Sequence, residues 1–143
     1  MMSKWQGSAA ICINDKNELL MVLQGKPQEK KTWTVPSGGI KEGETPEQCC
    51  RRETFEETGY IVSVKERLKI KNGFIGEIAV EVAYFSVSRT GGQMQIQDTD
   101  SLIHEIRWVS QEELLHLELS FPEDLSFLIA VLKTEKNEGV ERA

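Results

Sequence analysis

One short stretch constrains this chain more than any other: the run from Thr45 to Gly59, which carries its own start signal, its own stop signal and three carboxylates between them. Thr45 can serve as an N-cap, Pro46 suits the first helical position, and Gln48 completes a T-x-x-Q capping box. Gly59 can close the helix in a left-handed cap. A helix bounded in this way places Glu53, Glu56 and Glu57 within one arc of roughly 100°, because their spacings are three, four and one. Like charges so placed repel and raise each other's pKa, so a stable patch needs a counter-charge. Arg52, four residues before Glu56, offsets part of it. The remainder invites a hard divalent cation with oxygen ligands, such as Mg²⁺. Taken alone, E-x-x-E-E is more often a solvated acidic helix face, so its surroundings must decide.

The rest of the chain narrows the choice. A length of 143 residues fits one domain over 1–143 with one core. A net charge of -6 argues against binding nucleic acid through the overall field, so a polyanionic substrate has to be met locally. The longest apolar runs, such as Phe127 to Leu132, fall far short of a membrane span of roughly 20 residues. The opening Met1-Met2-Ser3-Lys4-Trp5 leads into polar residues, which makes a cytoplasmic address the expectation. Cys12, Cys49 and Cys50 form no C-x-x-C pair and read as ordinary buried thiols, while His104 and His116 have no partner at ligand spacing. Serine or cysteine catalysis finds no support in that inventory.

Along the chain, Trp5 to Ile13 alternates, Asn14 to Asn17 supplies turn residues, and Leu19 to Leu23 is apolar on both faces, which together predict a β-hairpin feeding a covered sheet. Gln24 to Lys31 is a polar loop whose Lys26, Lys30 and Lys31 could meet phosphates, although a solvated loop is the plainer reading. Thr32 to Val35 is extended and stopped by Pro36, and Ser37-Gly38-Gly39 is a loop able to adopt unusual angles. Beyond the helix, Tyr60 to Val64, Leu68 to Lys71 and Ile75 to Ser88 read as strands, with turns at Asn72-Gly73 and Gly91-Gly92. Glu105 to Val109 is the last strand. Ser110 with Glu113, and Ser120 with Glu123, look like capping boxes, the second opening a helix from about Pro122 to Lys136. A frayed polar tail is expected over 137–143. This order of elements implies an α/β fold, with helices packed on a mixed sheet.

From Gly38 the chain reads GGIKEGETPEQCCRRETFEETGY, which fits G-x5-E-x7-R-E-U-x-E-E-x-G-U through Gly38, Glu44, Arg52, Glu53, Glu56, Glu57 and Gly59. A chance match is on the order of one in a million chains. In this box, residues 38–60, the sequence resembles the Nudix hydrolase family. Thr54 and Tyr60 depart from the usual aliphatic slots, which makes the packing beneath the helix less predictable without touching a charged group. The resemblance extends to Trp33-Thr34-Val35-Pro36-Ser37-Gly38-Gly39 before the box, with Ser37 replacing a glycine, and to Glu105-Ile106-Arg107-Trp108-Val109 after it. It implies the family's α/β/α sandwich around a central mixed β-sheet.

The resemblance also implies roles. Glu56 and Glu57 would hold Mg²⁺ or Mn²⁺, Glu53 would complete the metal shell or take a proton from the attacking water, and the Gly38 carbonyl would add a ligand. Arg52 would steer the carboxylates by ion pairing. Glu44 would be a further ligand or base, or simply a charge favourable to the helix dipole. A further acidic residue outside the box often serves in this family, and Asp98, Asp100 and Glu105 are the local candidates. The activity implied is metal-dependent hydrolysis of the P–O–P bond in a nucleoside diphosphate linked to another group, with no covalent nucleophile. A small nucleotide, a (d)NTP or damaged nucleotide, is the favoured substrate. ADP-ribose or dinucleoside polyphosphates are the alternative, and a non-catalytic Nudix-fold nucleotide sensor is the alternative of another class. The sensor predicts damaged catalytic positions, whereas every charged box residue is intact. Trp5, Phe74, Tyr84 and Trp108 are the aromatic residues able to stack a base, core packing being their commoner use. Family members are often dimers, which admits a homodimer here.

Overall fold

The computed structural model describes residues 4–97 and 100–142, with side chains to 135. The class is α/β, as expected, and the chain divides into two compact units, Met1–Cys12 with Pro36–Gln97, and Ile13–Val35 with Asp98–Ala143. The tail expected over 137–143 falls outside the described side chains, and Asp98 outside the described residues.

The first unit is a four-stranded mixed sheet in the order β4-β1-β6-β5, formed by β1 (Lys4–Cys12), β4 (Ser37–Gly39), β5 (Tyr60–Ile75) and β6 (Ile78–Gly92). β1 runs parallel to β6 and antiparallel to β4. From Gly7 onward β1 is buried on both faces, more fully than simple alternation implies. Helix α1 (Pro46–Thr58) packs on β1, β4 and β5 through Cys49, Cys50, Thr54, Glu57 and Thr58. Both predicted ends of α1 are present. Thr45 and Gln48 exchange capping-box bonds, and Gly59 is left-handed at φ 79, its N–H donating to the Phe55 carbonyl. The last carbonyls of α1 are met by a following segment, where Gln95 N–H donates to Thr58 O and Gln97 N–H to Glu56 O, both at 2.8 Å. A side chain on Gly59 would collide with the Gln93 carbonyl, so this junction requires glycine twice over.

The second unit holds a three-stranded antiparallel sheet, β3-β2-β7, from β2 (Leu19–Gln24), β3 (Thr32–Thr34) and β7 (Ile103–Val109). Leu19 to Val22 are buried throughout, as the doubly apolar run predicted. Helix α2 (Gln111–Leu114) carries the predicted Ser110–Glu113 box, and α3 (Leu125–Arg142) follows a 3-10 turn over Pro122–Asp124.

Five expectations are corrected. The strands flanking Asn14 to Asn17 form no hairpin beyond a single Ile13–Leu19 bridge, because β1 and β2 enter different sheets. Tyr60 to Val64 and Leu68 to Lys71 belong to one strand, β5, which continues through register shifts at Ile61/Val62, Val64/Glu66 and Arg67/Lys69, and all but the first residues of Ile75 to Ser88 lie in β6. Its hairpin turns at Gly76-Glu77 rather than Asn72-Gly73: Gly76 takes φ 60, as the first position of a type II′ turn demands, and Gly73 pairs within the ladder with Val80. Gly91 and Gly92 likewise end β6, with Gly92 opposite Tyr60. Finally, Ser120 is not the N-cap of the turn that follows: Phe121 holds that position without a side-chain cap, and the Ser120 hydroxyl meets that of Thr32 at 2.6 Å.

Candidate active site

Arg52 organises the carboxylates of the first unit. Its Nε and Nη2 donate to the two oxygens of Glu44 at 2.8 and 2.9 Å, a bidentate pair. Nη1 donates to Glu53 at 2.6 Å and to Glu56 at 3.2 Å, while Nη2 also donates to the Gly39 carbonyl at 2.9 Å. One guanidinium therefore ties the loop before the helix, the helix face and strand β4 together. Fork geometry makes this possible; a lysine ammonium could not reach the same set in one plane. Arg52 holds the Glu44 carboxyl down at about 2, chiefly through the hydrogen bond, with the Lys41 backbone N–H and then the Arg52 charge adding to it against burial, and the same pairing raises the Arg52 pKa further.

Glu53 and Glu57 lie deeper. Glu57 is 7% exposed, with one oxygen accepting the Ser37 N–H at 3.3 Å. Burial raises the Glu53 pKa, against the lowering effect of Arg52 and of a hydrogen bond with Glu57. Gly38 explains how a carboxylate fits there, since any side chain on it would collide with the Glu53 carboxylate. The Gly38 carbonyl accepts from Cys49 Sγ at 3.5 Å. Thr54, the polar substitute in an aliphatic slot, is fully buried and satisfies its hydroxyl on the Cys50 carbonyl at 2.7 Å. Tyr60 is buried beneath Arg89, whose guanidinium lies 5.0 Å from the ring centroid.

The other candidates belong to the second unit. Lys30 pairs with Glu118 at 2.6 Å, and Glu105 with Arg107 at 2.7 Å. Lys31 donates to the carbonyls of Lys26, Pro27 and Glu29, so its ammonium closes its own loop. The Lys26 backbone N–H is held by Glu29. Sequence reasoning had not singled out the Ser37 N–H or the Gly39 carbonyl as parts of the cluster. Backbone groups leave no mark in composition; the only available signal was the small-residue run Ser37-Gly38-Gly39.

The donor set suits a hard divalent cation in kind: oxygen ligands from Glu53, Glu56 and Glu57 on one helix face, two of them close enough to share a hydrogen bond. Among the described residues no three such groups converge in ligand geometry, the guanidinium of Arg52 being the counter-charge in this arrangement. A cation would compete with Arg52 for Glu53 and Glu56. No helix among the described residues is long and apolar enough to cross a membrane.

Comparison with known proteins agrees with this geometry. The model of the NUDIX domain matches residues 4–130. A Bacillus subtilis (strain 168) protein named "Putative 8-oxo-dGTP diphosphatase" is 29% identical over 109 residues, which cover 76% of this chain and 68% of that one. Nudix hydrolase 5 of Arabidopsis thaliana is 31% identical over 113 residues, 77% of this chain but only 37% of its own length. Among solved structures, a NUDIX hydrolase from Nitrosomonas europaea superposes with a TM-score of 0.77 at 20% identity, covering 96% of this chain and 90% of that one.

Proposed function

The chain belongs to the Nudix hydrolase family, as the match over residues 4–130 shows, and from that premise we propose that it hydrolyses the P–O–P bond of a small nucleotide with Mg²⁺ or Mn²⁺. The observation that carries the reading is the cluster itself: Glu53 and Glu56 clamped by Arg52 on one face of α1, Glu57 buried beside them on the Ser37 N–H, and Gly38 leaving space for the Glu53 carboxylate. A solvated acidic face has no need of a buried Glu57 or of a carboxylate seated on a bare α-carbon.

When bound, the divalent ion would neutralise charge on the pyrophosphate and lower the pKa of a water. Glu56 and Glu57, with Glu53 and the Gly38 carbonyl, are the groups that would hold it. Glu53 is the base we favour, because burial keeps its pKa up and its basicity with it. Glu44 is the weaker base, having both oxygens on Arg52 and a carboxyl held at about 2. The base takes a proton from water, the water oxygen bonds to phosphorus, and the bridging P–O bond breaks to leave two phosphate-bearing products. The name of the Bacillus subtilis relative supports a nucleoside triphosphate, intact or damaged, as substrate.

The test is product analysis on a panel of nucleoside triphosphates, ADP-ribose and dinucleoside polyphosphates, with Mg²⁺ or Mn²⁺ and again with EDTA. A nucleoside monophosphate appearing only with metal is the expected result. Turnover that ignores the chelator would remove the proposed chemistry.

A further inference from the structure

Two adjacent glycines of β4 face opposite ways. The position where Gly38 lacks a side chain is taken by the Glu53 carboxylate, and that of Gly39 by the indole of Trp5, whose Cζ2 and Nε1 would lie 3.1 and 3.2 Å from a Cβ there. Strand alternation accounts for this: successive residues point to opposite faces, and their α-carbons are about 3.8 Å apart. Trp5 also lies over Gly7, the β1 partner of Gly39, where a Cβ would meet the ring at 2.5 Å. The ring thus rests on a shelf of two paired glycines, and yet it is 43% exposed. A core tryptophan would be covered, and a stray surface one would not have a paired Gly7 and Gly39 beneath it.

The other aromatic residues that could stack a base are less well placed within this unit. Tyr84 is 3% exposed, and Phe74, at 72%, lies next to the end of β5, where it pairs with Ala79. Trp5 is also joined to the carboxylates through Gly39, whose carbonyl accepts from Arg52. β4 is an edge strand of its sheet, with β1 as its neighbour.

We propose that Trp5 is the base-stacking residue of the substrate site: a nucleotide with its phosphates at Glu53, Glu56 and Glu57 crosses the edge strand β4 and lays its base on the Trp5 indole. This rests on the hydrolase reading above and adds to it a specificity. A two-ring indole stacks a purine over more area than a pyrimidine, so purine nucleotides are preferred through KM. Trp5 binds the base and takes no part in the bond cleavage.

The experiment is steady-state kinetics with Mg²⁺ on purine and pyrimidine nucleoside triphosphates and diphosphosugars, using wild type, Trp5→Ala, Trp5→Phe and Glu57→Gln, with nucleotide quenching of indole fluorescence in parallel. Trp5→Ala should raise the purine KM about tenfold with kcat within about twofold, in the range expected for loss of one stacking contact. It should also erase the purine preference, and Trp5→Phe should restore most of both. A purely structural tryptophan would not move base preference. If Trp5→Ala keeps the wild-type KM and preference while Glu57→Gln is inactive, the hydrolase reading stands and the stacking role is overturned. Quenching that Trp5→Phe abolishes, without turnover by wild type, supports the stacking role and removes the hydrolase reading; neither quenching nor turnover overturns both.

Discussion

Arg52 is the residue on which the site turns, because it offers donors to Glu44, Glu53, Glu56 and the Gly39 carbonyl at once. Replacing it with lysine keeps the charge and loses the fork, so the carboxylates should spread and the Mg²⁺ concentration for half-maximal activity should rise by roughly 10- to 100-fold. An unchanged metal titration of Arg52→Lys would show that the clamp is dispensable. Glu44 makes a pH prediction. Its folded carboxyl sits at about 2 against an ordinary 4.5, so the stability it contributes is complete above 4.5 and is lost as pH falls through 2. Glu44→Gln should therefore flatten the fall in melting temperature across that window. The thiols have the opposite sign: burial pushes Cys12 to about 11 and Cys50 to about 12, so their contribution is complete below 9 and fades as pH rises through those values. Thiol reagents at pH 8 should leave both unmodified in the native protein and label them in denaturant.

Among the elements, α1 has both its start and its end set by local residues. Thr45→Ala removes the capping box and should cost about 1 kcal/mol in thermal or denaturant unfolding. Gly59→Ala should cost about 2 kcal/mol or more, since it imposes a left-handed φ and drives a methyl into the Gln93 carbonyl. This locality is why the helix, and with it Glu53, Glu56 and Glu57 on one face, was legible in the sequence. The strands were less so. Asn72-Gly73 has the right residues for a tight turn, but the ladder from Ile75 opposite Ile78 leaves Gly76-Glu77 as the loop, and only partner registration decides between them. Likewise Asn14 to Asn17 turns the chain without pairing β1 to β2, because β1 finds β4 and β6 instead. Bulges kept β5 whole where its interrupted apolar pattern suggested two strands.

For the molecule as a whole, class and family were legible because one box of residues carries both, and the NUDIX match over 4–130 agrees with it. Which side chains share a sheet face was legible only in part. Trp5 could be named as an aromatic residue able to stack a base, but its seat over Gly7 and Gly39 depends on the β1–β4 pairing. The central claim is that the carboxylates of α1 carry metal-dependent P–O–P hydrolysis, and it is tested most directly by turnover of the best nucleotide by wild type and Glu57→Gln at saturating Mg²⁺, with circular dichroism to verify the fold. A loss of about 100-fold or more in kcat with the fold intact is expected; full activity in the folded Glu57→Gln protein would mean that the α1 carboxylates do not carry the reaction.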